Sequence, residues 1–210
     1  MKRIAVILDM DGTIIESGEA KHCVLLDLFA SEPAAVRREI DRYNRAHGGV
    51  PRRLKFEHIA RHVATLPASR DVPGLLDRYA AALGRSVAAS PLVRGVERLF
   101  ADDHILRFLC SAAPEAEVAE VLRHHGLADR VAGVYGAPVT KVEALRTIRA
   151  EQGNACVFIG DAAADARAAA IAGMPFVLRL SGEPPPALDA VRRIADFTDY
   201  QDWLFGIVGE

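Results

Sequence analysis

The segment Asp9-Met10-Asp11-Gly12-Thr13 closes a short apolar run, Ile4 to Leu8, and sets two carboxylates and a hydroxyl within five residues. A second apolar run ends in Cys110-Ser111-Ala112-Ala113, and another in Gly160-Asp161-Ala162-Ala163-Ala164-Asp165. Lys141 opens a helical pattern between them. In open parallel sheets, ligands and chemistry sit at the carboxyl ends of strands. Four segments far apart in the chain therefore bring carboxylates, a hydroxyl and an ammonium to one sheet edge. Clustered carboxylates repel one another and are costly unless a cation neutralises them. Hard oxygen donors with an open position suit Mg²⁺, and Mg²⁺ favours a phosphorylated substrate. Ser111, nearby backbone N–H groups such as that of Ala112, and Lys141 would hold phosphate oxygens and absorb transition-state charge. One Asp is then a nucleophile forming an aspartyl phosphate. The Asp two residues later protonates the leaving oxygen and afterwards activates water. Gly12 permits a tight backbone path beside such a site.

The elements that must position these groups follow from apolar spacing. Ile4–Leu8, 105–110, 131–135, 155–159 and 175–178 read as buried strands. Residues 115–125, 141–150 and 165–172 read as helices, the last stopping at Gly173 as a C-cap. This alternation predicts an α/β fold, a three-layer Rossmann-like parallel sheet covered by helices. From Ser17 to Ser90 the rhythm breaks. Residues 24–29, 34–43, 56–63 and 75–83 carry helical spacing, with turn signals at Pro33, Gly48-Gly49-Val50-Pro51, Pro67 and Pro73-Gly74. That block is too large for one crossover helix, so it reads as an inserted helical domain. The predicted layout is a core of residues 1–16 and 91–210 with an insert of 17–90, hinged near Ile15–Gly18 and Ser86–Leu92.

Composition sets the outer bounds. The 210 residues are 50% hydrophobic and 26% charged, with a net charge of −2, which fits a folded globular protein and not a disordered one. Twenty-six basic residues against 28 acidic ones exclude a dedicated nucleic-acid binder. No run approaches the roughly 18 apolar residues of a membrane span. The five-residue run ending at Asp9 is too short for an export signal. Three scattered cysteines, Cys23, Cys110 and Cys156, form no C-x-x-C pair and point to a reducing cytoplasm. The one biased segment, Gly182-Glu183-Pro184-Pro185-Pro186, reads as a rigid surface turn.

Asp9-x-Asp11-Gly12-Thr13, Ser111, Lys141 and Gly160-Asp161-x-x-x-Asp165 together resemble the four motifs of the haloacid dehalogenase superfamily, in order and in rough spacing. The resemblance covers the core from end to end. It implies Asp9 as nucleophile, Asp11 as general acid and base, Thr13 and Ser111 as phosphate contacts and Lys141 as charge stabiliser. It implies Mg²⁺ held by Asp9, Asp161 and the carbonyl of Asp11, with Asp165 as a ligand or as support. The helical insert resembles the mobile cap of the phosphoglycolate-phosphatase-like branch. The implied activity is hydrolysis of a small phosphorylated metabolite, a sugar phosphate or phosphorylated hydroxy acid, by a monomer or homodimer. Two positions depart from the pattern. Ala162 stands where a small hydroxyl or amide residue is common, which weakens support for the ion. Gly136-Ala137-Pro138-Val139-Thr140-Lys141 is close to the frequent Lys-Pro-x-Pro form without matching it.

Asp11 favours phosphoryl transfer over dehalogenation, because dehalogenases of the superfamily usually lack that second Asp. Phosphonate-cleaving relatives use a cap lysine in a Schiff base; Lys21 and Lys55 are the cap lysines here, and the first motif differs. A phosphomutase of the β-phosphoglucomutase type shares Asp9 and Asp11 and stays open, as does a non-catalytic binding module of the same fold. In the insert, His47-Gly48-Gly49-Val50-Pro51-Arg52-Arg53-Leu54-Lys55-Phe56 sets three cations in four residues after a Gly-Gly turn. Arg52, Arg53 or Lys55 is a candidate grip on substrate, set against a plain solvated face. Only four Lys stand against 22 Arg, which adds weight to Lys55 and Lys141. His58 and His62 share a helix face at i, i+4 but lack a third ligand and read as surface or packing residues. Trp203 and Phe205 are expected to anchor a C-terminal helix.

Overall fold

The computed structural model describes residues 3–47, 50, 52–181 and 191–208. Five consecutive apolar residues form β1 (Ile4–Leu8), every one of them buried. The chain then runs through α1 (Gly18–Asp27), α2 (Ala34–Ala46), α3 (Arg52–His58) and α4 (Val72–Ala88). Next come α5 (Val96–Ala101), β2 (Ile105–Pro114), α6 (Glu115–His124) and β3 (Gly133–Ala137). The remainder is α7 (Lys141–Gln152), β4 (Cys156–Gly160), α8 (Ala163–Ala172), β5 (Phe176–Arg179), β6 (Arg192–Ile194) and α9 (Tyr200–Val208). The chain divides into two compact units, residues 1–17 with 90–210, and residues 18–89. Among the described residues, no helix is long and apolar enough to cross a membrane.

The larger unit is an α/β sheet structure. Its six strands are all parallel, in the order β3-β2-β1-β4-β5-β6. The path from β3 to β4 and on to β5 crosses the sheet in one direction, and that from β2 to β3 in the other. Right-handed crossovers therefore put α7 and α8 on one face and α6 on the opposite face. Ala5, Ile7, Phe108, Phe158, Leu145, Ile148 and Ala169 pack together between the sheet and α7–α8. Val6, Leu8, Leu109, Val157 and Ile159 alternate with them and are fully buried on the other side. The strand order reverses at β1, so its carboxyl end opens the crevice where such sheets bind ligands.

Several expectations shift by physical cause. β3 begins two residues later than its apolar run, because an edge strand is only partly buried and carries a weaker pattern. β2 continues to Pro114, with an irregular register against β3 between Cys110 and Pro114. β6 and α5 have no counterpart in the apolar pattern; β6 has three residues, two of them exposed arginines suited to a sheet edge. Trp203 is buried as expected, but Phe205 is 40% exposed and does not anchor α9. α8 does end at Gly173, whose N–H donates to the Ala169 carbonyl.

The smaller unit is helical, with no strand among its described residues. Phe29, Phe56 and Tyr79 form its aromatic centre, with Phe29–Phe56 centroids 6.2 Å apart and Phe56–Tyr79 5.5 Å apart and edge-on. Pro73-Gly74 is not a break. It lies in the first turn of α4, where a missing N–H costs nothing, and the Gly74 N–H donates to the Asp71 carboxylate. The single helix expected over 56–63 is α3 followed by a π-helical turn, Ile59–Val63, closed by the Ala64 N–H to the Ile59 carbonyl. Gly48, Gly49 and Pro51 of the Gly-Gly turn, and the Gly182–Pro186 segment, lie outside the described residues.

Glu32 is the buried carboxylate that ties this unit together. It accepts the Thr65 hydroxyl at 2.5 Å, the Thr65 N–H at 3.0 Å and the Leu66 N–H at 2.9 Å. Burial opposes its charge, but the bonds from Thr65 and Leu66 outweigh it and hold the carboxyl below its ordinary 4.5. A depressed folded-state pKa contributes stability above the ordinary value, lost as pH falls through the folded value. Glu32→Gln is expected to cost about 2 kcal/mol at pH 7, the scale of hydrogen bonds to a charged group. Urea unfolding should find that difference shrinking below pH 4.5.

Candidate active site

Asp9 is the first residue beyond β1, and its N–H donates to the Ile159 carbonyl of β4 at 2.9 Å. The adjoining strands thus fix its backbone, and its side chain is almost wholly buried. Lys141, the first residue of α7, reaches it with Nζ 2.8 Å from Asp9 Oδ1. α7 starts where it does because Thr140 and Glu143 form a reciprocal capping box. The same Nζ lies 2.5 Å from Asp165 Oδ1. Asp165 sits in the first turn of α8, fully buried, and its Oδ2 accepts the Ala162 N–H at 3.1 Å. Ala162 offers no side-chain oxygen to this helix start, so the Asp165 carboxylate alone caps it.

Oxygens of Asp9, Asp161 and Asp165 all lie within 4.8 Å of one another. Asp161 also accepts the Ser181 hydroxyl at 2.7 Å. Gly12 has φ +71°, and a Cβ there would stand 2.0 Å from Asp161 Oδ2. Only glycine allows the turn after Asp11 to pass so close to that carboxylate. The carboxylate of Asp11 is outside the trio; its Oδ1 accepts the Ser17 hydroxyl at 2.6 Å. Thr13 is fully buried, and its Oγ1 has no hydrogen-bond partner among the described residues. Ser111 is buried near the end of β2 with Oγ accepting the Ala113 N–H at 3.1 Å, and Ala112 beside it is exposed.

The electrostatics follow from three carboxylates around one ammonium. Burial pushes the Asp9 carboxyl up to about 7; Lys141 opposes that rise, and Asp165 and Asp161 add to it. Asp161 is raised as well, by burial and by Asp165, against the Ser181 bond. Burial works against the Lys141 charge, but Asp9 and Asp165 outweigh it and hold the ammonium firmly protonated. The trio thus keeps excess negative charge in a low-dielectric setting. A close set of hard oxygen donors in that state fits a small divalent cation such as Mg²⁺.

Three contributors escaped the sequence reading. Ser17 and Ser181 orient Asp11 and Asp161. Arg179, at the end of β5, is buried and clamps the turn that follows β1. Its Nη1 lies 3.0 Å from the Gly12 carbonyl and 3.0 Å from Glu16, Nη2 also meets Glu16, and Nε donates to the Ala195 carbonyl. The strand-end rule that singled out Asp9, Ser111 and Asp161 also marks Arg179, had it been applied to the fifth strand. Cys110, buried beside Ser111, has its thiol pushed up to about 12 by burial and is inert.

The candidate grip residues Arg52 and Lys55 belong to the helical unit. Arg52 is exposed, with its guanidinium 4.7 Å from the Tyr79 ring centroid. Lys55 is half-buried and donates to Asn44 Oδ1 at 2.9 Å. Arg53 faces Glu57 one turn on, at 3.9 Å. His58 stacks on Tyr43 at 4.1 Å, in keeping with a packing role.

A family model for haloacid dehalogenase-like hydrolases matches residues 5–173. A phosphoglycolate phosphatase of Rhodobacter capsulatus is 30% identical, over 97% of this chain and 96% of its own. Among solved structures, a HAD-superfamily hydrolase of subfamily IA from Geobacter sulfurreducens superposes with a TM-score of 0.70 at 20% identity, over 97% of each chain. The Bacillus subtilis protein YfnB, solved bound to magnesium, superposes with a TM-score of 0.70 at 14% identity over the full length of both. At such identities these structures speak for the fold alone.

Proposed function

The chain belongs to the haloacid dehalogenase-like hydrolases, and from that premise we propose that it hydrolyses small phosphomonoesters through a phosphorylated Asp9. The observation that carries this reading is the contact of buried Asp9 with Lys141 at 2.8 Å, inside a carboxylate trio, while Asp11 is held apart by Ser17. Two carboxylates two residues apart thereby receive different surroundings, and different surroundings permit different roles.

In the first step, an Asp9 carboxylate oxygen attacks phosphorus and the ester oxygen departs with a proton from Asp11. In the second, Asp11 takes a proton from water as that water attacks the same phosphorus. Inorganic phosphate leaves and Asp9 is restored. Lys141 stabilises charge on the transferring oxygens, and Thr13, Ser111 and the Ala112 N–H hold them. Asp165 orients Lys141 through the 2.5 Å bond. Asp9, Asp161 and the Asp11 carbonyl would hold Mg²⁺, with Asp165 as support or as a further ligand. The ion would supply positive charge against the phosphate oxygens. The helical unit acts as a cap that excludes bulk water, with Arg52 and Lys55 contacting substrate. The substrate is a small cytoplasmic metabolite, a sugar phosphate or a phosphorylated hydroxy acid, as the Rhodobacter relative's name supports.

Phosphate release over a panel of sugar phosphates and phosphorylated hydroxy acids, with Mg²⁺ and with chelator, tests this. Release that needs Mg²⁺ is expected. Isomer formation without free phosphate would replace the reading by a mutase, and metal-independent halide release by a dehalogenase.

A further inference from the structure

Arg179 ends a strand whose other residues, Phe176, Val177 and Leu178, are apolar, and its own side chain is buried. Taking a cation out of water is costly, and an apolar side chain of similar volume would serve packing as well or better. What the guanidinium brings is geometry, a rigid planar fork whose N–H groups point along fixed lines. Nε donates to the Ala195 carbonyl just beyond β6 at 3.1 Å. Nη1 donates to the Gly12 carbonyl at 3.0 Å and to Glu16 Oε2 at 3.0 Å, and Nη2 donates to the other Glu16 oxygen. Every one of these partners belongs to the larger unit.

The two residues that the fork holds on the turn after β1 frame the bond between Asp11 and Ser17. Gly12 follows Asp11, and Glu16 precedes Ser17, whose hydroxyl donates to Asp11 Oδ1 at 2.6 Å. Inside the turn, the Met10 carbonyl accepts the N–H groups of Thr13, Ile14 and Ile15, and the Gly12 N–H donates to the Ile15 carbonyl at 2.9 Å. The Gly12 N–H is thus tied within the turn, and its carbonyl is tied to β5. Both peptides that flank Gly12 are fixed, and Asp11 is bonded directly to the first of them. The carboxylate that Arg179 engages is that of Glu16, so the cation sets the place of Asp11 through the backbone on either side of it.

We infer that Arg179 is a positioning residue for Asp11: by bracing Gly12 and Glu16 on either side of the Asp11–Ser17 bond, it keeps the acid and base carboxylate where the departing ester oxygen must find its proton. This rests on the phosphatase reading above and adds to it a residue that touches no reacting atom. The bond to Ala195 fixes the remaining side of the fork, which gives the short edge strand β6 a part in the site. A misplacement of about 1 Å in a catalytic group costs on the order of 100-fold, within the range of about 100- to 10,000-fold that the whole group contributes.

The test is leaving-group dependence, measured with Mg²⁺. 4-Nitrophenyl phosphate and acetyl phosphate release stable anions that need no proton, whereas the preferred alkyl phosphate of the panel above releases an alkoxide that does. Because kcat/KM covers the steps up to departure of the ester oxygen, its ratio between an activated phosphate and the alkyl ester reports the acid. Asp11→Asn, the reference, should raise that ratio at least about 100-fold. Arg179→Gln should raise it about 10- to 100-fold, nearly all through the alkyl ester, and Arg179→Lys, which keeps the charge but loses the fork, should fall between. Glu16→Ala, at a half-exposed side chain, should shift the ratio in the same direction by about three- to tenfold. If Arg179→Gln fails to fold, as read by its circular dichroism, Arg179→Lys and Glu16→Ala decide. Equal losses on both kinds of phosphate, which a merely structural role would give, or a ratio that only Asp11→Asn moves, overturn the inference and leave the phosphatase reading standing. A ratio unmoved even by Asp11→Asn removes the acid role of Asp11 and the inference with it. Absence of phosphate release from every one of these compounds overturns both.

Discussion

Asp9→Asn should lower kcat on the preferred phosphomonoester at least about 10,000-fold while leaving the fold intact, since the amide keeps the shape but loses the nucleophilic oxygen. Its effect on stability has the opposite sign from that of most buried substitutions. The Asp9 carboxyl is pushed up to about 7 from its ordinary 3.8 by burial, with Lys141 opposing and Asp165 and Asp161 adding to the rise. A carboxyl with a raised folded-state pKa favours folding while protonated, and that contribution is lost as pH rises through the folded value. At pH 8 without divalent cations its charge therefore works against the fold. The Tm of Asp9→Asn under those conditions should equal or exceed that of the wild type. A marked drop in Tm together with lost activity would mean that the residue is structural.

Lys141→Met should lower kcat about 100- to 1,000-fold, the usual cost of removing one preorganised charge from a phosphoryl-transfer site. Here stability should fall. Asp9 and Asp165 lose the ammonium that lies 2.8 and 2.5 Å from them, and buried carboxylates are left without their cation. In chelator at pH 8, Tm should thus fall for Lys141→Met but not for Asp9→Asn. Equal shifts of the same sign would indicate a packing effect and contradict the charge account.

The contrast between these two residues explains why the site was readable from the chain. Asp9, Ser111 and Asp161 each interrupt or follow an apolar run, and β1 and β4 are buried on both faces, so the runs are long and unmixed. Lys141 opens a helix with its own capping box, another local signal. The unread parts depend on partners distant in sequence. Arg179 meets Glu16 across 163 residues, and Ser181 meets Asp161 across 20. A hydrogen-bonded chain from Asp41 through His22 and Asn44 to Lys55 joins three helices, and no periodicity announces such a chain. β6 escaped for a simpler reason, since an edge strand of three residues with two exposed arginines has no apolar run. Pro73-Gly74 misled because the same dipeptide suits a turn and the first turn of a helix, and Asp71 decided between them.

The central claim is that phosphorus passes through a bond to Asp9. The direct measurement is a rapid quench during turnover with Mg²⁺ and excess phosphomonoester, followed by proteolysis and mass spectrometry of the N-terminal peptide. A phosphoryl group on Asp9 is predicted within the first turnover, absent when Asp9→Asn is quenched in the same way. Full turnover with no phosphoryl group on the protein, or with one on a different residue, would contradict the account.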